Sequence, residues 1–189
     1  ISPYTTEFVE AHGRYFLYSP VFTVLFAPFA YLPAWLGPFA WNLFNYSLFF
    51  MAIFTLPQQF TQQQKCRMFL FLLLILGQSL LSFQYNITVA YLFLFAYTLL
   101  EKDRGFLAVL LIMISGCTKV YGIFELALLL CYPHVWRNFG YAVTMGIVLL
   151  ALPLIKIAPA DLLPYYEEWC HSLAVHQSAG AYDSFFYAR

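Results

Sequence analysis

Two apolar runs, residues 68–100 and 105–132, are separated by the charged turn EKDR (101–104), and they constrain this chain more than any other feature. A membrane-crossing helix needs about 20 apolar residues. The first run holds about 33 residues and the second about 28, too long for one straight span and short for two. Basic residues decide how such runs cross, because they collect in cytoplasmic loops. Here they fall in three successive loops, at Lys65 and Arg67, at Lys102 and Arg104, and at Arg137. If each run crossed once, consecutive basic loops would lie on opposite faces. If each run is a hairpin, all three lie on the cytoplasmic face, and the hairpin is therefore the expected form.

Each hairpin arm then has about 13–15 residues, or about 20–23 Å of helix. The hydrocarbon core is about 30 Å thick, so the arms stop short of the outer surface. Non-helical backbone at that depth is tolerated only inside protein or beside a water-filled cavity. The tips are Gln84-Tyr85-Asn86 in one hairpin and Thr118 to Tyr121 in the other, and both carry polar groups. A polar recess in the outer half of the membrane is expected between them.

Composition supports a membrane setting. The chain is 62% hydrophobic and 10% charged, far from a soluble domain. Its 21% aromatic content suits rings placed at the membrane–water boundary. Formal net charge is zero, so nothing points to nucleic acid. Cys66, Cys117, Cys131 and Cys170 form no CxxC pair and no zinc spacing with histidine, so no metal site is expected. The chain opens on Ile1 and closes on DSFFYAR, and is read as an internal piece of a longer protein.

The flanks follow from the same parity. Residues 1–17 are polar, aromatic and expected outside. Residues 18–36 are broken by Pro20, Pro28 and Pro33 and are expected to lie along the outer interface, a kinked span being the alternative. Residues 38–56 and 139–155 read as spans, and 57–67 as a polar loop. Residues 156–189 are again external. Within them DLLPYYEEWCHSL reads as an interfacial helix, with Asp161 at the N-cap and Pro164 in the first turn. Leu162, Tyr166, Trp169 and Leu173 share its apolar face, expected to dock on the membrane surface. The fold class is all-α: one partial transmembrane domain over 1–189, a polytopic helical bundle with two short hairpins and interfacial helices.

Lys119 is the residue most in need of a reason. An ion inside a membrane is costly and is a functional-site hypothesis by default. A lysine snorkelling from a helix end is the ordinary alternative. The functional reading is a point charge for a phosphate or diphosphate, with Thr118 and Tyr121 adding hydroxyls. Glu125 lies six residues on, a different face of a continuous α-helix, so a direct pair with Lys119 is not favoured. Gln78, Gln84 and Asn86 are buried amides that need partners. They either bind helix to helix or hydrogen-bond a hydroxylated ligand. Glu7, Glu10, His12, Asp161, Glu167, Glu168, His171, His176 and Asp183 are the external groups from which a general base could come. Glu167 and His171 stand at i,i+4 spacing. No nucleophile motif, glycine-rich phosphate loop or DxD triplet is present.

YSPVFTVLFAPFAYLP followed by Trp41, then GQSLLSFQYN, then GCTKVYG resembles the order of motifs in glycosyltransferase family 87, from Tyr18 to about Asp183. That family contains polytopic, mannosyltransferase-like enzymes of the C-type glycosyltransferase (GT-C) fold. The resemblance implies transfer of a mannose-like hexose from a polyprenyl-phosphate donor to a glycolipid or glycan acceptor at the outer face of the cell (plasma or inner) membrane. It implies a multi-pass protein that uses membrane lipid and needs no cofactor beyond the donor substrate. It places Gln78, Asn86, Lys119 and Tyr121 near the donor, and has Tyr18 to Pro20 lead from the first external loop into the membrane. The family's catalytic aspartate is expected on that loop, where residues 1–17 hold no Asp. Glu7, Glu10 and His171 are the remaining catalytic candidates, and the base is expected upstream of Ile1, which would leave this piece inactive alone. A transporter or flippase for an anionic or lipid-linked substrate is the alternative, since broken helices around polar midplane residues also mark transporters. A non-catalytic assembly subunit is a third.

Overall fold

The computed structural model describes residues 2–5, 8, 10, 16–81 and 85–186, with backbone only for 74–76, 78–81 and 177–186. All regular structure among the described residues is helical. The α-helices are α1 (Pro20–Leu25), α2 (Ala27–Ala30), α3 (Leu36–Phe54), α4 (Gln62–Leu81), α5 (Asn86–Leu100), α6 (Gly105–Thr118), α7 (Val135–Leu150) and α8 (Leu162–Phe186). Three 3₁₀ segments join them: η1 (Val120–Cys131), η2 (Leu152–Ile155) and η3 (Pro159–Asp161).

Both long apolar runs break where the charge pattern predicts. The first divides into α4, described to Leu81, and α5, which begins at Asn86, and the second into α6 and η1 at Lys119. The second arm of the second hairpin is a 3₁₀ helix of 12 residues, far longer than the usual single turn. At about 2 Å per residue it reaches about 24 Å, against about 21 Å for the 14 residues of α6. The two arms pack very closely at Gly122. A β-carbon there would stand 2.5 Å from Ser115 Oγ and 2.6 Å from the Ser115 carbonyl carbon. Only a glycine admits that approach.

The prolines of 18–36 act as breakers. Pro20 and Pro28 sit in the first turns of α1 and α2, where a missing N–H costs nothing. Leu36 and Gly37 both donate to the Pro33 carbonyl, which turns the chain into α3.

The polar stretch 57–67 is not all loop. Helix α4 begins inside it, at Gln62. Thr61 and Gln64 form a capping box, with Thr61 N–H donating to Gln64 Oε1 at 2.8 Å and Gln64 N–H to Thr61 Oγ1 at 3.3 Å. Lys65, counted in the sequence as a loop charge, is 4% exposed. Its Nζ donates to the carbonyls of Leu56 (2.5 Å) and Phe54 (3.3 Å), closing the C-terminus of α3.

Two apolar cores hold the helices. Val21, Val109, Ile112, Leu129 and Met145 join α1, α6, η1 and α7. Phe49, Ile53, Ile87 and Tyr91 join α3 to α5. Beside the second core, buried Thr88 donates its hydroxyl to Asn45 Oδ1, and Asn45 Nδ2 donates to the Trp41 carbonyl at 2.8 Å. Neither amide nor hydroxyl is left unpaired in the apolar interior.

Among the described residues, one helical stretch is long and apolar enough to cross a membrane, Val135–Ile155, with mean hydropathy 1.8. It covers the span expected at 139–155. Only 33% of that stretch is buried in the protein. Val143, Ile147 and Ile155 face outward at 64%, 66% and 73% exposure, the reverse of a soluble core helix.

Helix α8 forms where expected and runs further. Asp161 ends η3, directly before Leu162 begins α8. The face of Leu162, Tyr166, Trp169 and Leu173 is half-buried, and part of it packs on the protein. Tyr166 donates to the Leu150 carbonyl (3.0 Å) and Trp169 Nε1 to the Leu17 carbonyl (3.1 Å). Ser172 donates to the Tyr4 carbonyl at 3.1 Å. Amphipathic rings with polar tips bind equally well to a protein surface that offers carbonyls.

Candidate functional site at the hairpin tips

The ends of α5 and α6 meet at one place. Asn86 is the first residue of α5, and Lys119 caps the C-terminus of α6. The backbone of Lys119 is extended (φ −141°, ψ 120°), so the chain leaves the helix there.

Lys119 Nζ donates to Asn86 Oδ1 at 2.8 Å, and the Tyr121 hydroxyl donates to the same oxygen. The ammonium stands over two rings, 4.8 Å from the centroid of Tyr121 and 5.4 Å from that of Tyr18. These are cation–π distances, worth about 0.5–2 kcal/mol each. An ammonium carries three N–H donors and here meets one hydrogen-bond acceptor. Lys119 is half-buried, whereas Tyr121 and Asn86 are exposed, so the cluster opens outward.

A buried layer beneath fixes this arrangement. Tyr85, fully buried, shares a 2.8 Å hydrogen bond with the Thr118 hydroxyl. The Tyr85 N–H donates to the Tyr18 hydroxyl at 3.4 Å. Ser19 N–H donates to the Thr118 carbonyl at 3.2 Å and Ser19 Oγ to the Cys117 carbonyl. These bonds satisfy the terminal carbonyls of α6 and hold Tyr18 against Lys119. Tyr4, whose phenol burial pushes well above its ordinary range, donates to the Tyr18 carbonyl at 2.7 Å.

Glu125 sits one layer down, 9% exposed. Its Oε1 accepts from Ser115 Oγ at 2.8 Å, so its partner is a hydroxyl and not Lys119. Its Oε2 has no hydrogen-bond partner.

From Tyr18 an aromatic groove of about 400 Å³ leads away, walled by Phe22, Phe26, Phe29, Pro33 and Trp41. Tyr18 and Phe22 stack at 4.5 Å and Phe22 and Phe26 at 4.8 Å. Trp41 meets Phe26 and Phe29 edge-on, each at 5.3 Å. The Tyr18 ring is therefore a shared wall: one neighbour is the ammonium, and the other is the apolar groove.

Of the residues singled out by sequence, Tyr18, Asn86, Lys119 and Tyr121 come together. Glu7, His12, Gln84 and the side chains of Gln78 and Asp183 lie outside the described residues. Glu10, Glu167 and His171 are exposed. Sequence reasoning placed Tyr85 at a hairpin tip without giving it a role, and it missed the bonds of Ser19 and the groove. The groove had a signal, since Tyr18, Phe22, Phe26 and Phe29 recur at helical spacing of four, four and three. Among the described residues, no group of three or more His, Cys, Asp or Glu side chains could hold a metal ion.

No curated protein and no solved structure matches the chain. The family model for glycosyltransferase family 87 matches residues 16–185, a stretch that takes in Tyr18, both hairpin tips and helix α8. The chain belongs to glycosyltransferase family 87, a membrane-associated family whose membership implies glycosyl transfer.

Proposed function

We propose that the protein is part of a multi-pass membrane enzyme that moves a mannose-like hexose from a polyprenyl-phosphate donor to a glycolipid or glycan acceptor at the outer face. The observation that carries this reading is the shared wall. Lys119 presents an incompletely used ammonium on one side of the Tyr18 ring, and an apolar groove begins on the other. A lipid phosphate is a ligand with those two halves, an anionic head joined to a hydrocarbon tail. Asn86 and Tyr121 offer the amide and hydroxyl that a sugar beside the phosphate would need.

In the reaction, an acceptor hydroxyl oxygen attacks the anomeric carbon as the bond from that carbon to the phosphate oxygen breaks. The acceptor proton goes to a carboxylate base, and the electron pair of the broken bond stays with the departing polyprenyl phosphate. Lys119 acts on the departing group, where negative charge grows through the transition state. The base is assigned to none of the cluster residues. No nucleotide pocket is needed, because the donor arrives activated.

The test is sugar transfer by the full-length enzyme in lipid, with polyprenyl-phosphate mannose as donor and cell-envelope glycolipid as acceptor. Transfer that depends on Lys119 supports the reading. Absence of transfer from any polyprenyl-phosphate sugar, with movement of the intact lipid across the bilayer, would assign the cluster to a transporter instead.

A further inference from the structure

The Tyr18 wall is itself held from a distance. Residues 16–19 belong to no helix, so the place of Tyr18 is set by what this short stretch bonds to. On one side Ser19 is tied to the end of α6. On the other side two donors reach consecutive carbonyls. The Tyr4 hydroxyl donates to the Tyr18 carbonyl at 2.7 Å, and Trp169 Nε1 donates to the Leu17 carbonyl at 3.1 Å.

Both donors rest on one face of α8. Tyr165, Glu168, Trp169 and Ser172 follow at spacings of three, one and three, which puts them on one side of a helix. The Tyr165 ring meets the Tyr4 ring edge-on at 5.2 Å, and Glu168 Oε2 accepts from Ser2 Oγ at 2.6 Å. Ser172 Oγ donates to the main-chain carbonyl of Tyr4 at 3.1 Å. The segment 2–5 is thereby fastened to α8, and its Tyr4 side chain, buried, is directed onto Tyr18. Apolar packing would dock α8 without fixing this main chain, because burial has no preferred direction and hydrogen bonds do.

The Tyr18 side chain holds itself less firmly. Its hydroxyl accepts from the Tyr85 N–H at 3.4 Å, longer than an ordinary bond of that kind, and its ring rests on Phe22 at 4.5 Å. A shift of the main chain at Leu17 or Tyr18 would carry the ring off the ammonium. We propose that Tyr4 and Trp169 are positioning residues, which pin the main chain at Leu17 and Tyr18 and so hold the Tyr18 ring over Lys119. Both act through Tyr18. The consequence for transfer rests on the donor-site reading: a ring kept in place leaves the ammonium preorganised for phosphate.

The experiment uses the full-length protein in lipid nanodiscs and a water-soluble acetylating reagent, sulfo-N-hydroxysuccinimide acetate, with the rate at each lysine read by peptide mass spectrometry. Tyr4→Phe and Trp169→Phe each keep a ring and remove the donor. Each should raise acetylation of Lys119 about threefold, the worth of one lost cation–π contact, and leave Lys65 unchanged. Lys65 is the control for general loosening, since it is buried against main-chain carbonyls. An equal rise at Lys65 and Lys119, or an unchanged rate at Lys119, overturns the role of the residue replaced. If thermal unfolding shows that Trp169→Phe does not fold, Tyr4→Phe, which lacks one oxygen atom, decides the matter alone. Donor kinetics then separate the two claims. A KM for polyprenyl-phosphate mannose raised about threefold, with kcat kept, supports both. Faster acetylation of Lys119 with KM unchanged supports the positioning role and contradicts the donor-site reading.

Discussion

Lys65, from the first turn of α4, reaches the C-terminus of α3, and Lys119 ends α6; the two lysines are put to opposite uses. Lys65 closes α3. It is 4% exposed and its ammonium lies against two main-chain carbonyls. Lys119 ends α6 with its N–H on the Ser115 carbonyl, but its ammonium leaves the helix carbonyls to Thr118 and Ser19. Its ammonium has one amide oxygen and two ring faces, and it remains partly exposed. Both satisfy the macrodipole. Only Lys119 keeps hydrogen-bonding capacity for something outside the chain. A charge in apolar sequence therefore points to a ligand only when its surroundings leave it unfinished.

Substitutions should separate the two ends. In the full-length enzyme, Lys119→Met should lower kcat/KM for transfer about a hundredfold, the worth of a charge-assisted bond to phosphate, with thermal stability little changed. Lys65→Met should do the reverse. It strands two carbonyls in an apolar site, and denaturant unfolding should show a loss of about 2–3 kcal/mol with KM unchanged in the folded fraction. Gly122→Ala pushes a methyl into Ser115 and should cost about 2 kcal/mol by the same measurement. If it also raises KM, the 3₁₀ arm positions Tyr121 and Lys119. Asn86→Asp puts a carboxylate against the ammonium, where it competes with phosphate, and should raise KM about tenfold with kcat less affected. His134→Gly relieves a left-handed residue at the α7 start and should stabilise the fold by at most about 1 kcal/mol, without touching transfer.

Much of the frame was legible in the sequence. The hairpins followed from run length against bilayer thickness and from where the basic residues fell. Lys119 and Asn86 stood out because polar groups are costly in such surroundings. The 3₁₀ form of Val120–Cys131 was not legible. It depends on the close approach of Gly122 to Ser115, a contact between two arms that composition does not encode. It also alters the geometry around Glu125. Six residues make two full 3₁₀ turns from Lys119, yet the carboxylate bonds to Ser115 across the hairpin. The Thr61–Gln64 capping box was present in the letters and lay within a stretch whose polarity read as loop. The docking of α8 onto Leu17, Tyr4 and Leu150 was hidden for another reason: an amphipathic face does not say whether protein or membrane covers it.

The most direct measurement compares two ligands on two proteins. Full-length wild-type and Lys119→Gln enzymes are titrated, in lipid nanodiscs, with a polyprenyl phosphate and with the same polyprenol lacking phosphate. If Lys119 holds the anionic head and the groove from Tyr18 to Trp41 holds the tail, the substitution weakens the phosphate about a hundredfold and leaves the polyprenol unchanged. Equal loss for both ligands, or no loss for the phosphate, would contradict the account.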